Sequence, residues 1–264
     1  MFCCGLCAEA AHTRARLLVA ADPVRPGETV LAGVHLRMDK GWHTYWRNSG
    51  ASGAPTTIEW ELPKGVTAGA IQWPVPEKLP DDDLTTYIYQ DEVVLLVPLK
   101  LAGDLPPGPL ELKAKVEWLE CEVLCLRGGA QVQTKLNVGS ATRPSPNQAL
   151  LGGWQKNLPQ PGEQIHPQAW WEKTATNDVR ALILEWNPES AASEADFFPD
   201  SSEEFEVQAP TERIGADGRR IRLRKLVKKL SGDWPKRISG VAVQQSGGAR
   251  SGFDLNLVVH KPPG

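Results

Sequence analysis

The 264-residue chain has no run of eighteen apolar residues, so it lacks the stretch that a membrane-spanning helix requires. It also lacks any excess of basic charge, since 29 Lys and Arg stand against 32 Asp and Glu, for a net charge of −3. A general nucleic-acid binder needs a basic surface to displace counterions, so that class is set aside and a protein or small-molecule partner is expected. Cysteine is scarce: of five residues, Cys3, Cys4 and Cys7 crowd the amino terminus, which leaves Cys121 and Cys125 for the rest of the chain. What the chain does have is glycine and proline, 24 and 22 residues, with 23% charged residues. That composition describes a soluble, globular chain of one large or two ordinary domains.

The first ten residues, "MFCCGLCAEA", read as processing rather than fold. The apolar run ends in Ala8-Glu9-Ala10, an A-x-A pattern of the kind that precedes signal-peptide cleavage, although it is short and has no basic leader. It is read as the remnant of an export signal, against the plain alternative of an ordinary amino terminus. Cleavage after Ala10 would remove three cysteines and leave an even pair, which an oxidising compartment could join.

Short apolar or alternating segments separated by Pro, Gly and Asp predict strands at 29–38, 57–62, 92–101, 110–119 and 130–138. In the last, Ala130, Val132, Thr134, Leu136 and Val138 share one face. The spacing predicts an all-β fold whose first part, residues 11–140, is an antiparallel β-sandwich. A Pro-, Gly-, Asn- and Gln-rich stretch at 141–160 reads as a linker with room for a short helical turn. Beyond it, "DVRALILEW", "EFEVQAP", "RRIRLRKLVKKL", "RISGVAVQQ" and "FDLNLVVH" continue in strand style, predicting a second, smaller β-rich domain over 161–264.

Geometry limits the cysteine pair. Four residues of extended strand span roughly 13 Å, whereas disulfide-bonded Cα atoms sit about 4.4–6.8 Å apart. A Cys121–Cys125 bond therefore requires a turn between "LKAKVEWLE" and "AQVQTKLNV", made by "EVL" or by the longer "EVLCLRGG". A loop this short removes little entropy from the unfolded chain, so the bond would be a weak staple and a plausible redox switch. Spacing alone leaves four uses open: structural disulfide, redox-active pair, metal ligation, or two free thiols. Metal ligation has little support, because the other candidate ligands, Met38 and His43, are single and distant in sequence. A cysteine nucleophile would need a base, and His43 could serve only if folding brought it near.

A second group of motifs narrows these uses. The segments "GWHTYWRN", "IQWPVP" and "WLECEVLCL" resemble, in combination and over about residues 12–140, the N-terminal periplasmic region of the DsbD family of thiol:disulfide interchange proteins. The likeness is greatest to the branch with the suppressor-of-copper-sensitivity B proteins. The resemblance implies an immunoglobulin-like domain whose pair, Cys121 and Cys125, shuttles reducing equivalents without a cofactor or metal. These would come from a membrane electron donor of the DsbD type and pass to oxidised periplasmic thiol proteins, in cytochrome c biogenesis, disulfide reduction or copper tolerance. By the same resemblance Cys125 is the cysteine that joins partners. The family's cap loop corresponds to residues 80–89, "PDDDLTTYIY", with Asp82, Asp83, Leu84, Tyr87 and Tyr89 as cap candidates. Two departures stand out: the cysteine spacing is shorter than in DsbD, and "LRGG" follows the second cysteine. Neither a multi-span membrane domain nor a Cys-x-x-Cys domain occurs in the chain, so those parts of the electron path would lie elsewhere, on a longer protein or on separate ones.

Other conspicuous residues have plainer readings. Strand alternation in "GWHTYWRN" puts Trp42, Thr44 and Trp46 on one face, expected to be core, and His43, Tyr45 and Arg47 on the other. Trp170 and Trp171 keep a glycan-binding surface in view. The basic run at 219–229 reads as a strand with one solvated face, balanced by the acidic stretch "EADFFPDSSEEFE". A non-catalytic binding or assembly module, its disulfide merely holding a hairpin, is the rival to thiol exchange.

Overall fold

The computed structural model describes residues 12–81, 84–172, 175, 177–188, 192–215 and 220–261. The expected signal remnant, with Cys3, Cys4 and Cys7, lies outside these residues. Strands dominate. In chain order they begin β1 (Thr13–Val19), β2 (Thr29–Met38), β3 (His43–Gly50), β4 (Thr57–Glu61), β5 (Val66–Ala68), β6 (Glu77–Asp81), β7 (Leu84–Gln90), β8 (Glu92–Leu101), β9 (Gly108–Cys121) and β10 (Cys125–Val138). Helix α1 (Gln148–Gln155) follows, and then β11 (Gln160–Pro161), β12 (Gln168–Trp171), β13 (Val179–Trp186), β14 (Glu194–Pro199), β15 (Phe205–Val207), β16 (Glu212–Arg213), β17 (Ile221–Lys229), β18 (Arg237–Ser246) and β19 (Ala249–His260).

The chain divides into two compact units. The first holds residues 1–46, 53–72 and 88–154; the second holds 47–52, 73–87 and 155–264. The unit boundaries thus fall inside β3 and β7, which a reading of linkers along the sequence does not anticipate.

The first unit is an immunoglobulin-like antiparallel sandwich. One sheet runs β1-β2-β8-β5, and the other is ordered β10-β9-β3, with β4 also pairing with β9. β2 and β8 are central in their sheet and buried almost throughout, as at Val34, Leu36, Leu95 and Leu96. The second sheet keeps the two-residue alternation, burying Leu112, Ala114, Val116 and Trp118 from β9 and Val132, Leu136 and Val138 from β10. Full burial of such side chains contributes about 1.5–3 kcal/mol each. Leu151 of α1 is also fully buried, so the stretch expected to be a linker contributes to this core.

β9 and β10 extend further than the alternation predicts. They pair antiparallel over fourteen positions from Pro109↔Asn137 and its neighbours to Cys121↔Cys125, so "LRGG" is strand and only Glu122, Val123 and Leu124 form the turn. Gly128 explains part of that sequence. It lies opposite Trp118, and a Cβ there would fall 2.2 Å from the indole Nε1.

The second unit is built on a nine-stranded sheet with the main order β14-β18-β19-β12-β13-β17-β15, antiparallel apart from β11 and β12, which pair parallel to β19. Its core gathers Trp186, Phe197, Leu223, Phe253 and Leu255. β17 shows the expected alternation with one departure: Lys225 takes a core position with no exposure, while Leu226 next to it is 41% exposed. The Lys225 ammonium donates to the Ala209 carbonyl (2.8 Å) and the Thr211 hydroxyl (2.7 Å), and lies 3.6 Å from the Asp196 carboxylate. The basic strand and the acidic stretch therefore meet inside one unit. Burial pushes the Lys225 ammonium down to about 8, partly offset by Asp196. Trp171 is buried against Trp234, its ring stacked with the Arg180 guanidinium at 4.7 Å.

Candidate functional site

The cysteines meet at the end of the β9–β10 ladder. As the final rung, Cys121 and Cys125 face each other with Cα atoms 4.2 Å apart and are joined as a disulfide. A non-hydrogen-bonded antiparallel pair approaches to about 4.5 Å, so the ladder itself sets the separation. The three-residue turn that geometry required is Glu122-Val123-Leu124.

The two sulfur environments differ. Cys121 is 3% exposed, whereas Cys125 is exposed. Beside Cys125 the turn presents Val123 at 90% and Leu124 at 71% exposure. Cys125 thus lies on an accessible turn with Glu122, Val123 and Leu124, while Cys121 is enclosed by the fold.

β3 supplies what surrounds the buried sulfur. His43 pairs with Cys121 across the β3–β9 ladder. Two residues on, the Tyr45 hydroxyl donates to Cys121 Sγ at 3.0 Å and lies 3.9 Å from Cys125 Sγ. His43 Nε2 is 3.3 Å from the same hydroxyl, with the imidazole edge-on to the phenol ring. Alternation grouped His43 with Tyr45 correctly, yet both faces of this part of β3 are buried: His43, Thr44, Tyr45 and Trp46 are all enclosed. Trp46 is core as expected, while Trp42 is half-buried and stacks on His12 with ring centroids 3.8 Å apart.

A glycine fixes the phenol. Gly53 has φ +92°, a left-handed conformation that favours glycine, and a Cβ there would fall 2.3–2.5 Å from the Tyr45 ring. On the other side of Cys121, Glu120 is only 1% exposed. Its carboxylate accepts from Trp118 Nε1 and from the His12 backbone N–H, both at 3.0 Å, so the buried group is partnered. Burial pushes the His43 imidazolium below its ordinary range, which leaves the ring neutral near neutral pH.

Of the cap candidates, Asp82 and Asp83 lie outside the described residues. Leu84 opens β7 at 50% exposure, and Tyr87 and Tyr89 are buried strand residues, at 2% and 5%. Tyr87 packs against Phe198 with centroids 4.8 Å apart, and burial pushes its phenol above the usual tyrosine range. The aromatic side chain hydrogen-bonded to the disulfide is Tyr45. Sequence reading missed Tyr45 and Glu120 as parts of the site and gave His43 no more than a chance of approach. The available signal was the shared parity of His43 and Tyr45, which carries no information on which strand β3 would join.

Among the described residues no group of three His, Cys, Asp or Glu side chains is placed to hold a metal ion. No described helix is long and apolar enough to cross a membrane.

Comparison with known proteins adds the lineage. Among curated proteins none matches. Among solved structures, the N-terminal periplasmic domain of ScsB from Proteus mirabilis is similar over 94% of each chain, with a TM-score of 0.66 and 18% identity, which shows a shared fold. A conserved domain protein from Bacillus anthracis aligns over 95% of this chain and 88% of its own at 8% identity, but its TM-score of 0.26 carries no weight. Residues 15–137 match the family described as thiol:disulfide interchange protein DsbD, N-terminal. That stretch contains the hairpin, its disulfide and the β3 residues around it, so the part of the chain that is similar to the DsbD N-terminal family is the part that holds the candidate site.

Proposed function

We propose that the Cys121–Cys125 pair exchanges with thiols and disulfides of other proteins in the periplasm, passing reducing equivalents from a membrane donor of the DsbD type to oxidised thiol proteins. The observation that carries this reading is the asymmetry of the pair: an exposed Cys125 beside a buried Cys121 whose sulfur accepts a hydrogen bond from Tyr45. An incoming thiolate reaches Cys125 Sγ. The Cys121–Cys125 bond breaks, Cys125 forms a mixed disulfide with the donor, and Cys121 leaves with the electron pair as a thiolate. The donor's second thiolate then attacks its own sulfur in the mixed disulfide, releasing Cys125 and leaving both cysteines reduced.

Delivery runs the same chemistry in reverse. The Cys125 thiolate attacks a target disulfide and expels one target sulfur as a thiolate. Cys121 then attacks Cys125 Sγ, which reforms the internal bond and releases the second target thiol, two electrons having moved to the target. A Cys121→Ala variant should accumulate mixed disulfides through Cys125, because the resolving sulfur is gone, and Cys125→Ala should accumulate far fewer. Non-reducing electrophoresis of periplasmic extracts reads both. If the oxidised pair in the wild-type protein resists dithiothreitol until the domain unfolds, the bond is a structural staple and the exchange reading fails.

A further inference from the structure

We propose that the second unit binds a small organic carboxylate in a cavity of about 500 Å³ lined by β14, β18, Thr211 and Arg213, with the Gln244 side-chain amide donating to it. A cavity of that volume is of the size that takes small molecules. The site is independent of thiol exchange, because all of its lining residues belong to the second unit and the cysteine pair belongs to the first.

Gln244 carries the argument. It lies on β18 opposite Ala195 and is only 3% exposed. Its Oε1 accepts from Trp186 Nε1 at 3.0 Å. An indole can only donate, so this contact fixes which end of the amide is the carbonyl and turns the two Nε2 protons away from the tryptophan. Among the described residues nothing accepts from them. Enclosed amide donors are paired as a rule. Nε2 is not sealed into the core, and the cavity is the opening that Gln244 lines. A ligand there completes the amide by bringing it an acceptor.

The surrounding charges select an anion. Asp196, in the cavity wall, is already engaged on both oxygens. Its Oδ2 accepts from Lys78 Nζ at 2.7 Å, and its Oδ1 accepts from the Phe197 N–H at 2.7 Å and from the Thr211 hydroxyl. The enclosed Lys225 ammonium lies 3.6 Å from the same carboxylate. Arg213 adds a further cation, whose guanidinium donates to the Ala192 and Ser193 carbonyls at 3.0–3.2 Å. Those neutral acceptors fix the side chain without cancelling its charge. The other carboxylate in the lining, Glu194, is exposed, and water weakens its field. Lys78, Lys225 and Arg213 thus outnumber Asp196 and Glu194, and the surplus positive charge favours an anion. Phe198 and Val243, both largely buried, give the cavity an apolar wall. An acceptor for an amide N–H, a negative charge and an apolar body together describe a small carboxylate; a cation or a neutral sugar meets only part of that description.

Isothermal titration of the full chain tests this with benzoate and butyrate, an aromatic and an aliphatic carboxylate, and with benzamide and benzylamine as neutral and cationic counterparts. A hydrogen bond to a charged group corresponds to a roughly ten- to hundredfold change in binding. At least one carboxylate should therefore saturate a single site about tenfold or more tightly than benzamide, with benzylamine silent. Gln244→Glu keeps an oxygen for Trp186 Nε1 but replaces the donor by an anionic acceptor, and should weaken carboxylate binding by about tenfold or more. Arg213→Gln, at an exposed position, should weaken it by about two- to fivefold. Thermal unfolding shows whether each variant is folded, and Arg213→Gln decides alone if Gln244→Glu is not.

Failure of both carboxylates to saturate at millimolar concentration overturns the proposal. Binding of benzamide or benzylamine as tight as that of benzoate shows that the site does not select an anion. Unchanged affinity in folded Gln244→Glu, or in Arg213→Gln, removes the carboxylate from this cavity. None of these results touches the exchange function, which is read on the cysteines of the first unit.

Discussion

Reducing the Cys121–Cys125 bond should leave the first unit folded and only slightly less stable. The perturbation is small because the cysteines are separated by four positions, so the bond closes a five-residue loop. On the chain-entropy account such a closure stabilises by about 2 kcal/mol. Against this stands the hairpin itself, paired over the length of β9 and β10 and burying Leu112, Ala114, Val116, Trp118, Val132, Leu136 and Val138. At about 1.5–3 kcal/mol for each large apolar side chain, that burial outweighs the bond several times over. For a unit of this size, 2 kcal/mol corresponds to a fall in Tm of about 4–10 °C. Thermal unfolding followed by circular dichroism, with and without dithiothreitol, measures it, and a Cys121→Ala/Cys125→Ala double variant repeats it without reagent. Loss of cooperative unfolding on reduction, or a fall beyond about 20 °C, would show that the disulfide carries the fold and cannot be cycled.

Gly128→Val should destabilise the same unit by about 1–3 kcal/mol, because the new side chain must displace the Trp118 indole and its bond to Glu120; chemical denaturation reads the loss, and an unchanged midpoint would contradict the packing. Replacing Val123 and Leu124 together by Ser should alter stability by less than about 0.5 kcal/mol, since both are solvent-exposed, while reducing mixed-disulfide capture through Cys125; capture at wild-type yield would remove the turn from partner recognition. The second unit should become more stable as pH rises from about 8 towards 10.5, relative to a Lys225→Met variant. In that window the unfolded chain holds a proton on Lys225 that the folded chain has released, so folding is favoured by raising pH, by roughly 3 kcal/mol over the full range. Parallel urea titrations at several pH values test this, and a wild-type slope that matches the variant's would count against it.

Strand positions were legible wherever one face is buried and the other is wet, as in β10, where Val132, Leu136 and Val138 alternate with exposed Gln131, Gln133 and Lys135. The match of 29–38 and 92–101 to β2 and β8 has a different source: continuous apolar runs between turn residues. The hairpin was legible too, because a Cys-x3-Cys bond cannot lie along one strand. Its true length was not. "LRGG" carries no apolar alternation, and the reason for its glycine lies across the ladder at Trp118. Pairing between distant segments was equally hidden. Nothing local to "GWHTYWRN" says that β3 will dock on β9 with His43 against Cys121, and so two of the groups nearest the sulfur atoms went unassigned. Lys225 was hidden for the opposite reason: its alternation parity was plain, but a lysine on the core face looks like an exception until Thr211, Ala209 and Asp196 are seen to receive it.

The placement of the cysteines as the last rung of a long antiparallel ladder also bears on how partners recognise the two redox states. Nothing beyond that rung depends on whether its sulfurs are joined, because the pairing from Gly108 to Glu120 is made by the backbone and the core. The long paired face of β9 and β10 therefore does not need the bond to keep its register. If the proposed exchange holds, partners of the two redox states would then be told apart by sulfur chemistry at this one rung more than by the shape of the paired strands behind it.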